Sequence, residues 1–319
     1  FDKTSTETKS AKTWADAAIT DGQAALEGGG MSKVKFRTDE IATSQLPALI
    51  LLAKMGWQPL SKVVANAARQ NRMSAVILEN ITREFLKRQK LHWAGVDVPL
   101  TEDNIQELIT RLKRLPPATY GKQAEEKWDL LCLPQGVEQV VNGSKRSLNT
   151  RFIDFENPEN NLYHMVPEFV VEQSKSTDKR RPDIVLFVNG IPLVVIENKK
   201  AAVDVAEGIS QTIRNQKPDN IPQLYVYAQI LLSLNKNENR YGTTGTPAKL
   251  WNKWRENEIG DEVIQKLIYT TLSAETRDKI FNDQFSSSET YMDIAEESRL
   301  ITDQDRALVG LCRPDRLLK

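Results

Sequence analysis

Residues 184–196 carry no charge, and all thirteen except Asn189, Gly190 and Pro192 are bulky hydrophobes. Asn-Gly in the middle of such a run is the strongest short-range signal for a β-hairpin, because both residues accept the positive φ of a tight turn. Successive side chains of a strand point to opposite faces, so arms this uniformly apolar leave neither face for water. The ribbon belongs inside a sheet covered by helices on both sides. That requirement sets the fold class, α/β with a mixed central sheet, and obliges the rest of the chain to supply the helices.

Helical periodicity occurs on both sides of the ribbon. From Asp39 onward, Ile41, Leu46, Leu49, Ile50, Leu51, Leu52 and Met55 form a broad apolar face that stops at Gly56 before a turn at Pro59. Val76, Ile77, Ile81, Phe85 and Leu86 predict a second helix over 73–90. Thr101 is an N-cap candidate for a third, which carries Ile105, Leu108, Ile109 and Leu112 and closes at Pro116-Pro117. Residues 203–216 return to the helical pattern, and the polar chain beyond Thr270 reads as helical with a break at Ser286-Ser287-Ser288. Strand signals lie at 137–141, followed by Asn142-Gly143 and an expected return arm at 151–155, and at 169–171. The apolar run 224–234 after Pro222 reads as one further buried strand.

Composition narrows the class. The 319 residues are 40% hydrophobic and 27% charged, with 15 Gly and 14 Pro, which excludes collagenous, low-complexity and wholly disordered chains. No run approaches the roughly 18 uncharged apolar residues that cross a bilayer, so no membrane role is expected. Cys132 and Cys312 fall outside any Cys-x-x-Cys spacing, as suits a reducing cytoplasm, the expected location. Two histidines are too few for a His-rich metal centre. Forty-three Lys and Arg balance forty-three Asp and Glu, so attraction to nucleic acid must come from local clusters. Residues 1–30, ending in Gly28-Gly29-Gly30 before Met31, read as a flexible tail. Vector or upstream sequence ahead of a start at Met31, and a genuine N-terminal arm, stand as equal readings.

Chemistry concentrates at the open end of the ribbon. With the turn within 189–192, antiparallel pairing sets Asp183 opposite a residue between Ile196 and Asn198. Glu197 and Lys199, two apart, project from one face of a strand. Two acids and an amine therefore meet where the apolar ribbon ends. Burying carboxylates is expensive unless they are paired or bind something, and a divalent cation offsets that cost. Hard carboxylate oxygens suit magnesium, which keeps waters and takes a phosphate oxygen as a further ligand. The implied reaction is metal-assisted phosphodiester hydrolysis. Glu-x-Lys alone is common, and Glu7-Thr8-Lys9 and Glu125-Glu126-Lys127 are expected to be coincidental; the alternative for Glu197 and Lys199 is an exposed, ion-paired strand end.

The stretch from Arg181-Pro182-Asp183 to Glu197-Asn198-Lys199 resembles the nuclease motif of the R (restriction and translocation) subunit of type I restriction enzymes, within the PD-(D/E)xK nuclease superfamily. The resemblance extends to 153–158 with Asn160-Asn161 upstream, and to 220–224 and 241–246 downstream, covering the chain from about Asp39 onward. It implies that Asp183 and Glu197 bind metal, that Lys199 is catalytic, and that the Asn198 carbonyl is a further metal ligand. The family often carries Gln-x-x-x-Tyr on the following helix; here Gln211 is kept and Asn215 replaces the tyrosine. Gln211 is read as a contact to DNA or to a metal-bound water, or as an exposed polar position.

The resemblance also implies an ATP-driven motor that this chain does not carry. No Gly-x-x-x-x-Gly-Lys-Ser/Thr loop is present, so ATP belongs to the absent motor region. Six basic residues face three acids between Lys175 and Lys200, and Arg180 and Arg181 are candidate phosphate contacts at the mouth of the site. The expected plan is an endonuclease domain over 31–270, helical to about 135 with its core at about 136–240, and a helical connector over 271–319. The expected activity is magnesium-dependent, sequence-nonspecific cleavage of double-stranded DNA, with methyltransferase and specificity subunits as partners. A catalytically silent module docking DNA or the motor, and a stand-alone nuclease of the same superfamily, are the rival readings.

Overall fold

The computed structural model describes residues 40–115, 118–284 and 299–319; the 1–30 tail, Pro116-Pro117 and the Ser286-Ser287-Ser288 break lie outside them. Its centre is a six-stranded sheet whose spatial order follows the chain: β1 (Gln58–Pro59), β2 (Tyr163–Pro167), β3 (Ile184–Val188), β4 (Ile191–Asn198), β5 (Ile230–Asn235) and β6 (Glu238–Gly242). The sheet is mixed. β1 with β2 and β4 with β5 are parallel, whereas the β2–β3, β3–β4 and β5–β6 pairs are antiparallel.

The apolar ribbon lies in the middle of this sheet, and every residue of β3 and β4 is buried. Asn189 (φ 53°) and Gly190 (φ 81°) form the turn. A Cβ on Gly190 would sit 2.5 Å from the Leu78 carbonyl, so the close approach as well as the φ requires glycine.

Helices cover both faces. They include α1 (Leu46–Lys54), α2 (Glu79–Arg88), α3 (Glu102–Lys113), α4 (Ala206–Asn215) and α5 (Asp303–Cys312). Helix α4 packs on β4 and β5, with Gly208 against Ser233 and Glu197, while α1 and α5 pack on each other. The Thr101 side chain accepts the Asn104 N–H and starts α3, as the sequence predicts.

Four local expectations change. Only Glu79–Arg88 of 73–90 is helical, because the Leu78 N–H is drawn to the Gly190 carbonyl and holds the preceding stretch against the hairpin turn. The strand partner of Gln135–Val141 is Ser144–Thr150 and not 151–155, since a two-residue turn returns the chain at once, pairing Val141 with Ser144. Residues 169–171 contribute only Val171 to a short pair, Val171–Glu172 with Lys179–Arg180; the sheet strand in that region is β2. The run 224–234 divides into a short helix, Pro222–Tyr225, begun by proline at its first position, and β5. Among the described residues no helix is long and apolar enough to cross a membrane.

Candidate active site

The β3–β4 register pairs Ile184 with Ile196, and continuing it sets Asp183 across from Glu197. The Asn198 N–H closes the strand end by donating to Asp183 Oδ2 at 2.7 Å. Lys199 follows β4, held to β5 by its own N–H on the Leu234 carbonyl. Its Nζ donates to the Asn198 carbonyl at 2.8 Å and lies 3.9 Å from Asp183 Oδ2. Asp183, Glu197, the Asn198 carbonyl and Lys199 are thus gathered at one end of the ribbon.

Burial makes this cluster electrostatically tense. Glu197 is fully buried; one carboxylate oxygen accepts from Gln211 Nε2 at 2.7 Å, and Oε1 finds no donor. Desolvation, and then the negative charge of Asp183, push its carboxyl well above the usual range, against the pull of Lys199. Desolvation also raises Asp183, opposed by the Lys199 ammonium and the Asn198 N–H. An orphaned carboxylate oxygen beside a second carboxylate fits a cation. Among the described residues no three His, Cys, Asp or Glu side chains form a metal cage, but magnesium is commonly held by one or two carboxylates with water completing its shell.

The other sequence-predicted residues occupy different positions. Gln211, on α4, spends its amide on Glu197, an approach that Gly208 one turn earlier allows by packing flat against Ser233 and Glu197. Arg181 is exposed and lies 3.5 Å from Glu168, whose N–H donates to the Asp183 carbonyl, so Arg181 flanks the site. Arg180 points its Nε at Asn220 Oδ1, 2.8 Å away.

Two residues of the cluster were not legible in the sequence. Glu40, at the head of the first helical segment, has its carboxylate 4.0 Å from Lys199 Nζ, and desolvation raises its carboxyl despite that amine. It stands 143 positions from Asp183 in no motif. Tyr225 is fully buried against Asn215, near enough to Glu197 for burial first and that carboxylate second to raise its hydroxyl far above the ordinary value.

Comparison with known families bears on the same segment. The family model described as type I restriction enzyme R protein N terminus matches residues 37–250, about two thirds of the chain and the whole of the site except for supporting residues near the C-terminus. The chain belongs to this family. Similar R-protein relatives include a Methanocaldococcus jannaschii protein named as a candidate type I restriction enzyme MjaIXP endonuclease subunit, 29% identical over 168 residues, which are 51% of this chain and 16% of that protein. The Haemophilus influenzae type I restriction enzyme HindI endonuclease subunit is 32% identical over 122 residues, 37% of this chain and 11% of the relative. A Staphylococcus aureus relative, the type I restriction enzyme SauCOLORF180P endonuclease subunit, is 28% identical over 145 residues, covering 45% and 14% of the two chains. The matched stretches cover only 11–16% of the length of these curated relatives.

Proposed function

We propose that this chain is the PD-(D/E)xK nuclease part of a type I restriction enzyme, cutting double-stranded DNA with magnesium and without regard to sequence. The observation that carries the reading is the orphaned, fully buried Glu197 Oε1 beside Asp183, with the Lys199 ammonium next to both. Membership in the R protein N terminus family and the names of its relatives, type I restriction enzyme endonuclease subunits, support it.

Asp183, Glu197 and the Asn198 carbonyl would hold the ion, which when bound supplies Lewis acidity and a water of lowered pKa. Gln211 fixes one Glu197 oxygen so that the other stays turned to the ion. Lys199 orients the attacking water and offsets the charge that builds on the phosphoryl oxygens in the transition state. Arg181, exposed at the mouth, contacts the backbone phosphates of DNA without reading bases. Glu40, 4.0 Å from Lys199 Nζ, adds a further acid beside the ammonium. ATP hydrolysis, site recognition and methylation belong to the motor, specificity and methyltransferase parts of the complete assembly.

Supercoiled plasmid incubated with the intact complex, ATP and magnesium tests the proposal. Lys199→Ala and Asp183→Ala complexes are expected to translocate and hydrolyse ATP without linearising the plasmid. Unchanged cutting by both variants rejects the assignment.

A further inference from the structure

Asn198 lies between Glu197 and Lys199, and its main chain and side chain serve different neighbours. The main chain belongs to the acidic site, with its N–H on Asp183 Oδ2 at 2.7 Å and its carbonyl taking the Lys199 ammonium at 2.8 Å. The side chain projects from the other face of β4, as strand alternation requires, into a buried polar cluster. There Asn198 Nδ2 donates to Ser44 Oγ at 2.8 Å and lies 3.3 Å from Gln304 Oε1. Ser44 Oγ donates to Gln304 Oε1 at 2.7 Å, and Gln304 Nε2 returns a bond to the Ser44 carbonyl at 3.0 Å.

All three side chains are at most 1% exposed, so each bond is shielded from competing water. Ser44 and Gln304 are 260 positions apart in the chain. Gln304 is held firmly, one residue into α5, where Thr302 and Asp305 form a reciprocal capping box and Arg299 grips both Asp305 oxygens. Asn198 Oδ1 finds no donor, so the orientation of its amide rests on the bonds from Nδ2 to Ser44 and Gln304.

We infer that Gln304 is a positioning residue for the nuclease site: with Ser44 it forms a buried clasp through which α5 fixes the strand end that presents Asp183 and Lys199. The inference rests on the nuclease reading above. The Asn198 side chain and its two flanking peptide planes share one Cα. Releasing the amide lets the strand end turn, which carries away the donor that holds Asp183 and the acceptor that holds Lys199. A displacement of α5 is therefore felt at the metal-binding acids, although α5 contributes no acid to them.

Calorimetric titration of the 319-residue chain with Mn2+ reads this directly. Gln304→Met, which keeps the side-chain volume and removes all three of its hydrogen bonds, and Ser44→Ala, which removes the hydroxyl hub, are each expected to weaken Mn2+ binding at least about tenfold, the lower end for loss of support behind a metal ligand. The double variant should bind no more weakly than the worse single, because both break one clasp. Val309→Ala, fully buried in α5 but about 140° round the helix from Gln304, should lower the melting temperature and leave the affinity as in wild type. Wild-type affinity in folded Gln304→Met and Ser44→Ala, or an equal loss in Val309→Ala, overturns the clasp and leaves the nuclease reading standing. A wild-type chain whose Mn2+ binding is absent or indifferent to Asp183→Asn overturns that reading, and the clasp with it.

Discussion

The two ends of the β3–β4 ribbon bury polar groups to the same depth and treat them in opposite ways. At the turn end, Asn189 is fully buried, its Oδ1 accepts the Leu162 N–H at 2.7 Å, and its Nδ2 donates to the Phe152 carbonyl at 2.9 Å and Asn161 Oδ1 at 2.7 Å. The Thr82 hydroxyl caps the Asn189 carbonyl at 2.8 Å. Every polar atom of the Asn189 side chain has its partner, and that cluster closes on itself. At the open end, Glu197 Oε1 has no donor, and three carboxylates, Glu40, Asp183 and Glu197, crowd one amine. Burial without partners is destabilising, so the open end costs the fold stability that the turn end returns. Under the nuclease reading, one end of the ribbon secures the fold and the other is prepared for chemistry.

The contrast is broken or sharpened by substitutions at the two ends. The largest expected effect is on rate: Lys199→Ala in the intact complex should lower plasmid cleavage by about 10² to 10⁴-fold, the range for losing a group that handles protons or charge in the transition state, with the melting temperature little changed. Asn189→Ala should do the reverse. It removes three buried hydrogen bonds at about 1 kcal/mol each and places alanine at positive φ, for a loss of about 3–4 kcal/mol in denaturant unfolding, while cleavage per folded molecule stays at the wild-type level.

His164 on β2 pairs with Phe187 in the turn half of the ribbon, and burial pushes its imidazole down to about 4, with Glu84 pulling up and Arg88 pushing down. The unfolded chain takes up a proton near pH 6.5 that the folded chain refuses until about pH 4, so stability is lost as pH falls through that window. The expected loss is about 2–3 kcal/mol between those limits, seen in urea midpoints, and His164→Leu should flatten that part of the profile.

Glu197→Gln should raise stability without metal by about 1 kcal/mol, since it removes a buried acid with an unpartnered oxygen, and abolish Mn2+ binding. If it instead destabilises the chain, the open end is a structural ion-pair network and the contrast fails. Arg181→Ala carries the smallest effect, a several-fold weaker hold on DNA and a slope of log K against log salt shallower by about one, with no change in sequence preference.

The ribbon and its three chemical residues were legible because everything that defines them is local: an apolar run, a turn dipeptide that demands positive φ, and charges at the register the turn imposes. What was missed depends on partners distant in sequence. β1 is two residues long and exists only because β2 pairs with it in parallel, and β6, the polar Glu-Asn-Arg-Tyr-Gly, is an edge strand with no hydrophobic alternation to reveal it. The run 224–234 is interrupted only by Gln229 and Ser233, too sparsely to give a period by which a helix is told from a strand. Glu40 and Ser44, Tyr225, and Gln304 reach the neighbourhood of the site from three other elements, and their residue types are unremarkable in a chain that is 27% charged. Gln211, read from the sequence as a contact to DNA or a metal-bound water or as an exposed polar position, donates to Glu197, and that bond is a product of how closely Gly208 lets α4 approach the sheet.

Crystals of the chain soaked in Mn2+ and measured at the manganese absorption edge locate the ion itself. The expected result is an anomalous peak about 2.1 Å from oxygens of both Asp183 and Glu197, with Lys199 Nζ turned toward a water on that ion. No peak between these carboxylates at saturating Mn2+, with Glu197 Oε1 still unpartnered, would contradict the account.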